Sequence, residues 1–350
     1  MSLLKKSMIG GVLLLLLLGA LAGGALFAVN NYMQSPLAAL DESATLMVND
    51  GDTLYGVADR LAGAGLLEWP QVFVAWGRYS GFAARIQAGE YELEPGMTPA
   101  GVLLQLVDGR VKLYSFTILE GWTLKEILLS MAEHPAITLT IDPQDIPADV
   151  VLEDELTADT PAEGWFYPET YHIPRNTTDK ALLRQASKLM LEQLAAAWDS
   201  REDGLPLNSP YEMLTLASIV ERETAVDAER DQVAGVFIRR LRKGMRLQTD
   251  PTVIYGIGDA YDGNITRRHL TTDTPYNTYT RYGLPPTPIG MASAASLRAA
   301  GHPDDGSSLY FVASPAGDGS HVFSDTLIQH NRAVQEYLAA LRRARQSGNQ

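Results

Sequence analysis

An unbroken apolar stretch near the start of the chain is followed by shorter apolar periodicities. Residues 8–29 carry no charged side chain, and at about 1.5 Å per residue a helix of this length crosses a bilayer. Farther along, apolar residues recur three and four positions apart, as at Leu54, Val57 and Leu61, between short strand-like runs. The pattern predicts an α+β protein with one N-terminal transmembrane helix.

The charges beside the apolar stretch predict its orientation. Lys5 and Lys6 precede it and the next basic residue is Arg60, so the positive-inside rule places residues 1–7 in the cytoplasm and the rest of the chain outside. A cleaved signal peptide is the alternative, with a cleavage site at Ala20-Leu21-Ala22. The apolar run continues through Phe27, beyond a typical signal-peptide core, and therefore favours a retained anchor.

Three segments beyond a polar connector at residues 30–43 share a strand-turn-helix pattern. Their turns are Asp50-Gly51-Asp52-Thr53, Glu94-Pro95-Gly96-Met97-Thr98 and Glu120-Gly121-Trp122-Thr123. Acidic residues and glycine suit a tight turn, and a Thr hydroxyl can accept a free backbone N–H in the first turn of a helix. Because the spacing is irregular, the pattern predicts a small α+β module over residues 44–132 and not a solenoid.

The first of these segments resembles a LysM repeat, a small module that binds glycans containing N-acetylglucosamine. The resemblance covers Val48 to Leu61, and the alternative is that Gly51 and Thr53 only build a turn. The module also holds three aromatic candidates for stacking on sugar rings, which are Trp69, Trp76 and Tyr79. Aromatic side chains at this density are more often part of a core, so we predict that these three are buried.

A second domain is predicted over residues 161–345, behind a linker of residues 133–160 that is rich in Pro, Asp and Glu. Apolar residues at helical spacing predict a helix over residues 178–198. The sequence Ser209-Pro210-Tyr211-Glu212 is typical of a capping box with Pro in the favoured first turn, and it predicts that a further helix begins there.

Glu221 lies on a semi-apolar stripe near the C-terminal end of that further helix. Ala217 and Ser218 share the stripe, whereas Arg222 and Glu223 point elsewhere. The negative end of the helix dipole and the apolar neighbours both favour the protonated acid, which is the form that a general acid needs. The pattern alone leaves two alternatives open: a solvated surface glutamate, and a glutamate paired with Arg222.

Later segments are typical of loops in which neutral hydrogen-bonding side chains stand beside aromatic rings, a suitable lining for a sugar groove. They cover residues 245–256, 274–279 and 283–289; in the alternative interpretation, their Pro and Gly residues only shape long connections. The candidate substrate-binding residues are Gln248, Asp250, Tyr276, Asn277, Tyr279 and, in an aromatic segment that precedes these loops, Glu163.

Composition narrows the chemistry. The 350 residues carry 42 Asp and Glu against 28 Lys and Arg, a formal net charge of −14, so nucleic acid is not expected as a partner. Cysteine is absent from the sequence, which excludes disulfides, thiol nucleophiles and Cys-ligated metals. A protease has no positive support because the sequence contains neither HExxH nor Gly-x-Ser-x-Gly, and we expect no metal and no cofactor.

Four motifs, in order along the chain, resemble those of the endolytic murein transglycosylases, the YceG-like family. They are Glu163-Gly164-Trp165-Phe166-Tyr167-Pro168, Leu216-Ala217-Ser218-Ile219-Val220-Glu221-Arg222-Glu223-Thr224, residues 245–256, and Tyr276-Asn277-Thr278-Tyr279. The resemblance implies a LysM-like subdomain beside a mixed α/β catalytic domain, and it carries the family's catalytic glutamate onto Glu221. It also implies an inner-membrane protein with a periplasmic catalytic domain that acts on peptidoglycan strands and meets the peptidoglycan synthases.

The activity implied by the resemblance is a lyase reaction with one enzymic carboxylic acid. Glu221 protonates the leaving oxygen of the β-1,4 bond between N-acetylmuramic acid and N-acetylglucosamine, and then takes the proton of the muramic C6 hydroxyl as a 1,6-anhydro ring closes. Two alternatives stay open. One is a muramidase-type hydrolase with Glu163, Glu223 or Asp250 as a second carboxylate, and the other is a non-catalytic peptidoglycan-binding scaffold.

Overall fold

The structure is a computed structural model that describes residues 2–38, 40–142 and 161–347. Most of the linker predicted from the sequence, residues 143–160, lies outside the described residues. Helices and short strands alternate along the described chain, which confirms a mixed α+β fold.

The chain forms two compact units that divide between Tyr114 and Ser115. The module predicted over residues 44–132 therefore spans this division, and the third strand-turn-helix segment belongs to the second unit. In chain order, the first unit contains α1 (Ser2–Gln34), β1 (Ala44–Val48), α2 (Leu54–Gly63), α3 (Pro70–Tyr79), β2 (Gly89–Leu93), α4 (Pro99–Asp108) and the start of β3 (Leu113–Thr117).

The second unit continues after β3. Its elements are α5 (Leu124–Ala132), β4 (Ile137–Thr138), β5 (Thr170–Pro174), β6 (Thr177–Thr178), α6 (Asp179–Asp199), α7 (Pro210–Glu223), α8 (Arg230–Arg242), α9 (Asp250–Ile257), α10 (Arg267–Thr271), α11 (Ala294–Gly301), β7 (Tyr310–Ala313), β8 (His321–Ser324) and α12 (Leu327–Ser347).

The apolar helix α1 runs directly into the first unit. Its stretch from Met8 to Gln34 reaches a mean hydropathy of 2.6 with none of the apolar window buried in the protein, so it is long and apolar enough to cross a membrane. Near its end, Met33 is fully buried, and Val29 and Tyr32 pack against the same core. The last turns of α1 are therefore part of the folded unit.

The strands β1 and β2 and the helices α2 and α3 build the centre of the first unit. The strands pair antiparallel, with Ala44 opposite Leu93, so alternate side chains face the helices. Thr53 caps α2 by accepting a backbone N–H at 3.4 Å, and Thr98 caps α4 in the same way at 3.0 Å. Both caps are as the strand-turn-helix pattern predicts.

The prediction that three aromatic residues of this unit are buried is wrong for two of them. Trp69 is 52% exposed and Tyr79 is 91% exposed. They flank α3 at its two ends, beyond the apolar face that packs on the core, whereas Trp76 between them is partly buried. Trp69 also packs against the Tyr32 ring of α1, with the ring centroids 5.1 Å apart. The LysM-like character of the unit stays a prediction.

Helix α7 forms the centre of the second unit. Every residue from Met213 to Val220 is buried, and α6, α8 and α11 pack against the helix. The strands of this unit form separate pairs: β3 with β5, β4 with β6 in parallel, and β7 with β8 antiparallel. Because α7 is enclosed by other helices, its C-terminal turn, which carries Glu221, is held at a fixed position.

The predicted capping box at the start of α7 is only half formed. Ser209 accepts the backbone N–H of Glu212 at 3.2 Å, as expected. The Glu212 carboxylate, however, accepts the backbone N–H of Asn208 at 2.6 Å and its side-chain amide at 3.0 Å, and not the N–H of Ser209. Asn208 offers this carboxylate two donors where Ser209 offers one backbone N–H.

We expect Asp179→Asn to lower the free energy of unfolding by about 2–3 kcal/mol at pH 7. The buried Asp179 carboxylate accepts backbone N–H groups of Thr140 at 2.6 Å, Ile141 at 2.7 Å and Lys180 at 2.7 Å. Burial raises the pKa of Asp179, but the hydrogen bonds from Thr140 and its neighbours outweigh it and leave the pKa below its ordinary value. Urea denaturation of the full chain in detergent measures the loss.

The same pKa shift fixes the pH dependence of that loss. A carboxylate with a lowered pKa stabilises the folded state above its unfolded pKa of about 3.9, and the contribution is lost as the pH falls through the folded value. The difference between the wild type and Asp179→Asn should therefore narrow below about pH 4. Asp199→Asn, at the exposed end of the same helix, is the control; an equal loss there would contradict the prediction.

Candidate active site

The last turn of α7 directs three consecutive side chains to three different places. Successive residues of a helix point about 100° apart. Glu221 reaches the start of α11, Arg222 reaches the loop before α5, and Glu223 reaches the start of α9. Ser218 and Glu221 both contact the segment 289–293, which confirms that they share one stripe of the helix.

Both carboxylate oxygens of Glu221 are held by hydrogen bonds. One accepts from Arg230 Nη2 at 3.0 Å, and the other accepts the Ser293 backbone N–H at 2.9 Å together with the Ser293 hydroxyl. The Glu221 side chain is 4% exposed and that of Arg230 is 6% exposed, so this ion pair is almost wholly withdrawn from water. The alternative interpretation, in which Glu221 pairs with Arg222, is wrong. The cation that pairs with Glu221 is Arg230, from α8.

Arg230 brings further acidic groups to the same place. Asp227, in the short 3₁₀ turn before α8, contacts Arg230 Nη1 and is 89% exposed. Glu120, in the third strand-turn-helix segment, lies 3.9 Å from Arg230 Nη2 and is 56% exposed. The Arg230 guanidinium therefore lies near three carboxylates: that of Glu221, which is buried, and those of Asp227 and Glu120, which are exposed.

Two loops meet over the end of α7. The Gly121 N–H donates to the Met291 carbonyl and the Met291 N–H to the Trp122 carbonyl, both at 2.8 Å. Arg222 Nη1 donates to the Gly121 carbonyl at 2.9 Å and so holds this pairing from below. A Cβ at Gly290 would lie 2.6 Å from the Gly121 carbonyl oxygen, so glycine is what lets the two loops approach this closely.

Glu163 forms a second acidic centre. Its carboxylate accepts the Leu124 N–H at 3.1 Å, at the start of α5, and the Tyr255 hydroxyl at 3.0 Å. Burial raises the pKa of Glu163 to about 7, against the lowering effect of these two hydrogen bonds and of the Arg222 charge. The Tyr276 ring packs edge-to-face on Tyr255, with centroids 4.9 Å apart.

Glu223 forms a third acidic centre, beside the start of α9. It accepts the Thr249 hydroxyl, and burial raises the pKa of Glu223 to about 7; the Thr249 hydrogen bond opposes this shift and the Asp250 charge adds to it. Asp250 in turn accepts the Tyr279 hydroxyl at 2.6 Å. Burial and this carboxylate raise the pKa of Tyr279. Asp250 and Tyr279, both predicted from the sequence as substrate-binding residues, are thus brought together.

The other predicted substrate-binding residues differ in the solvent exposure of their side chains. Gln248 is exposed, and its backbone has a left-handed φ of 51°, which is uncommon for any residue but glycine. Tyr276 is half-buried, with its hydroxyl 3.0 Å from that of Thr287. Asn277 is buried: its amide donates to backbone carbonyls of the α10 segment, and its oxygen accepts the Tyr279 N–H at 2.9 Å. Asn277 therefore orders the loop that carries Tyr276 and Tyr279.

Sequence reasoning missed four residues around Glu221. Glu120 was visible only as a turn residue, and the patterns along the chain did not single out Ser293 or Arg230. Arg230 reaches Glu221 across a turn between two helices, and no periodicity predicts such a contact. Burial, then the charges of Glu169 and Glu120, raise the pKa of the Tyr167 hydroxyl, and the Ala294 N–H next to Ser293 opposes the shift. The motif that contains Tyr167 was recognised from the sequence, but the position of the Tyr167 hydroxyl beside the start of α11 was not predicted. The four residues are Ser293, Arg230, Glu120 and Tyr167.

Comparison with known proteins places the chain in a family. The model of the YceG-like family matches residues 46–336, which include every residue of the three acidic centres. The chain belongs to the YceG-like family. A crystal structure at 2.6 Å of a yceG-like protein from Listeria monocytogenes is similar in fold, with a TM-score of 0.53 at 28% identity over 83% of this chain and 99% of that one.

Curated relatives carry an activity in their names. The endolytic murein transglycosylase of Bacillus subtilis strain 168 is 32% identical, over 86% of this chain and 87% of its own length. That of Streptococcus pneumoniae serotype 2 is 26% identical over 93% of this chain, which spans 64% of that longer relative. The resemblance stated from the sequence is confirmed, and so is the expectation of an enzyme of the lyase class, a lytic transglycosylase.

We expect Glu163→Gln to flatten the pH dependence of stability. A carboxylic acid whose folded pKa is raised from about 4.5 to about 7 binds more protons when folded, so it lowers stability as the pH rises through that window. The glutamine keeps the neutral form, and the decline between pH 5 and pH 8 should shrink by about 2–3 kcal/mol. Denaturant unfolding at both pH values measures it. Glu192→Gln, at an exposed position of α6, is the control, and an unchanged decline in Glu163→Gln would refute the prediction.

Proposed function

We propose that this protein is an endolytic murein lytic transglycosylase in which Glu221 is the general acid and then the general base. The bond cleaved is the β-1,4 bond from N-acetylmuramic acid to N-acetylglucosamine, and the product is a 1,6-anhydro-muramic end. The observation that carries the proposal is the carboxylate of Glu221, fixed at both oxygens at the end of a buried helix, in a chain whose relatives bear this activity in their names.

The reaction requires one proton to leave Glu221 and one to return. The acid gives its proton to the departing glycosidic oxygen as the bond to muramic C1 breaks. The muramic C6 oxygen then bonds to C1, and its proton passes to the Glu221 carboxylate, so the enzyme ends as it began. Because the nucleophile belongs to the substrate, its proximity replaces a bound water, and the exclusion of water keeps the reaction a lyase reaction.

The surroundings of Glu221 hold its carboxylate in one place. Ser293 and Arg230 fix the rotamer of its carboxylate, and α8 and α11, which present them, both pack on α7. Such preorganisation means that little of the site must rearrange during the reaction. Only 4% of the side chain is exposed, so a sugar meets one edge of the carboxylate while the rest stays dry.

We propose that the sugar groove includes the exposed start of α9. Gln248 and Asp250 are exposed there, and Tyr279 bonds to Asp250. The Gln248 amide can donate to sugar hydroxyl groups, the Asp250 carboxylate can accept from them, and aromatic rings suit the apolar faces of sugars. Tyr276 contributes a half-buried ring, and Asn277 contributes by ordering the loop and not by touching the sugar.

A muramidase-type hydrolase is the second candidate, and one observation favours it. Glu163 is a buried carboxyl group whose pKa is raised to about 7, as a second acid–base group would require. Its contacts with the Leu124 N–H and the Tyr255 hydroxyl, however, place it at the starts of α5 and α9, whereas Glu221 contacts α8 and the start of α11. The products decide between the two reactions: a hydrolase leaves reducing muramic ends, and a lyase leaves anhydro ends lighter by one water.

We expect Glu221→Gln to lower the release of anhydro-muramic fragments from purified sacculi by about 10²–10⁴-fold, because the amide can neither give nor take the proton. Mass spectrometry of the soluble products measures the loss and shows which ends are formed. The matched control is Glu223→Gln, the same chemical change two residues along the same helix, which should stay within about tenfold of the wild type. Release of anhydro-muramic fragments by Glu221→Gln at the wild-type level would contradict the role of Glu221 as the acid and base. A wild type without activity would indicate a non-catalytic binding scaffold.

We also propose that α1 is a retained inner-membrane anchor, with residues 1–7 in the cytoplasm and the catalytic unit in the periplasm, where it meets the peptidoglycan synthases. Cleavage after Ala22 would leave Leu26 and Phe27 as an exposed apolar end of the mature chain; both are more than two-thirds exposed in the structure. Retention in a bilayer covers them. The proposal rests on α1 and on the flanking Lys5 and Lys6.

We expect single-cysteine variants to report this topology without background, because the chain has no cysteine of its own. Asp50→Cys should react with a membrane-impermeant maleimide in spheroplasts, and Ser2→Cys should react only after lysis. Intact-mass measurement of the same protein should give the full chain. Labelling of Ser2→Cys in intact spheroplasts, or a mass that lacks residues 1–22, would overturn the anchor.

A further inference from the structure

Glu120 is an exposed acidic residue for which folding provides no complete partner. Among the described residues, no hydrogen bond is donated to its carboxylate; its nearest charge is Arg230 Nη2, at 3.9 Å. Its side chain is 56% exposed, and an exposed ion pair at that distance contributes little to stability. In the sequence it is one of the acidic residues of a repeated turn, and the proposed function gives it no role.

The position of Glu120 relative to Glu221 is tightly bounded. Both carboxylates approach the same nitrogen, Arg230 Nη2, Glu221 at 3.0 Å and Glu120 at 3.9 Å. The two oxygens concerned therefore lie no more than about 7 Å apart, which is below the upper limit of about 9 Å for carboxyl pairs that flank a glycosidic bond in glycosidases. The Glu221 carboxylate of this pair is buried, and the Glu120 carboxylate is exposed to solvent.

The backbone around Glu120 is fixed. The next residue, Gly121, has a left-handed φ of 74° and donates its N–H to the Met291 carbonyl at 2.8 Å. The following turn is closed by Thr123, which caps α5 with a full capping box. A side chain presented from a turn held at both ends is preorganised in the way that a group acting on a transition state needs.

The charges around Glu120 tie it to the surroundings of Glu221, and Arg230 is the one that favours its ionised form. Burial and the Glu221 charge raise the pKa of Glu120, and Arg230 opposes them, so the two glutamates interact electrostatically. Glu120 also raises the pKa of Tyr167, whose hydroxyl lies beside the Ala294 N–H at the start of α11. Glu120, Tyr167 and Glu221 thus share one small region.

We propose that Glu120 is a second catalytic carboxylate, one that stabilises the positive charge which develops at muramic C1. The inference rests on the proposed function and deepens it. As the bond from C1 to the glycosidic oxygen breaks, Glu221 gives that oxygen its proton, and C1 carries oxocarbenium-like charge until the C6 oxygen bonds to it. The C6 proton returns to Glu221. Glu120 stays ionised throughout, forms no bond and exchanges no proton.

The chain offers a matched control for this role. Asp227 is an exposed carboxylate on the same guanidinium, but it contacts Arg230 Nη1, the nitrogen that does not bind Glu221. Asp227→Asn and Glu120→Gln therefore remove the same charge from the surroundings of Arg230. An effect transmitted through Arg230 would be similar in both variants, whereas a direct effect on the sugar would be confined to Glu120.

The experiment is steady-state kinetics of the full chain in detergent on uncrosslinked peptidoglycan strands, with anhydro ends counted by mass spectrometry. We expect Glu120→Gln to lower kcat about 100-fold with KM within about threefold, because a charge felt mainly in the transition state is lost. Glu120→Asp should recover to within about tenfold of the wild type, and Asp227→Asn should lose less than about fivefold. Circular dichroism melting should show that all variants are folded.

Each remaining outcome counts against the inference in a recognisable way. Equal losses in Glu120→Gln and Asp227→Asn would mean that Glu120 acts only by positioning Arg230. A rise in KM without a fall in kcat would mean uniform binding of the sugar, and activity within threefold would mean no role at all. A wild type that yields reducing ends, or a fully active Glu221→Gln, would instead overturn the proposed function itself.

Discussion

The ion pair between Glu221 and Arg230 is the interaction on which the rest of the second unit depends. A buried pair gains little over apolar packing, but loss of one partner leaves an uncompensated charge and costs about 3–5 kcal/mol. The pair therefore couples three helices: α7 supplies the acid, α8 supplies the guanidinium, and the start of α11 supplies the donors of Ser293. Any shift of one helix against the others would break contacts that water does not replace.

The turn that carries Glu221 also separates groups that would otherwise interfere. Glu163 and Glu223 are both buried acids, and three adjacent ionised carboxylates in one dry space would repel each other. Because successive helical positions diverge, Glu223 is directed to α9 and Glu221 to α11. Arg222 lies between them in sequence. Its guanidinium donates hydrogen bonds to backbone carbonyls and does not pair with Glu221. Each acid keeps its own set of donors.

Local patterns predicted most of the elements and the place of Glu221 on its helix, whereas its catalytic role came from the family resemblance and stays a prediction. The Thr caps, the stripe of Ser218 and Glu221, and the helix edges follow from short-range rules that hold whatever the tertiary context. The contacts of Arg230, Glu120 and Ser293 do not, since each joins segments that lie far apart in sequence or across a turn. Exposure of Trp69 was missed for the same reason: aromatic density says nothing about where a helix ends relative to its core.

The apolar helix α1 continues into the first unit without a linker, because Val29, Tyr32 and Met33 at its end are part of the core of that unit. Residues from Met8 to Ala28 remain for lipid before Val29 joins the core, a length of roughly 30 Å, the thickness of the hydrocarbon layer. In a bilayer the base of this unit would rest directly on the headgroups, with Tyr32 and Trp69 at that depth, as in the aromatic belts of membrane proteins. If α1 is retained as proposed, such an arrangement would hold the first unit at the surface of the bilayer.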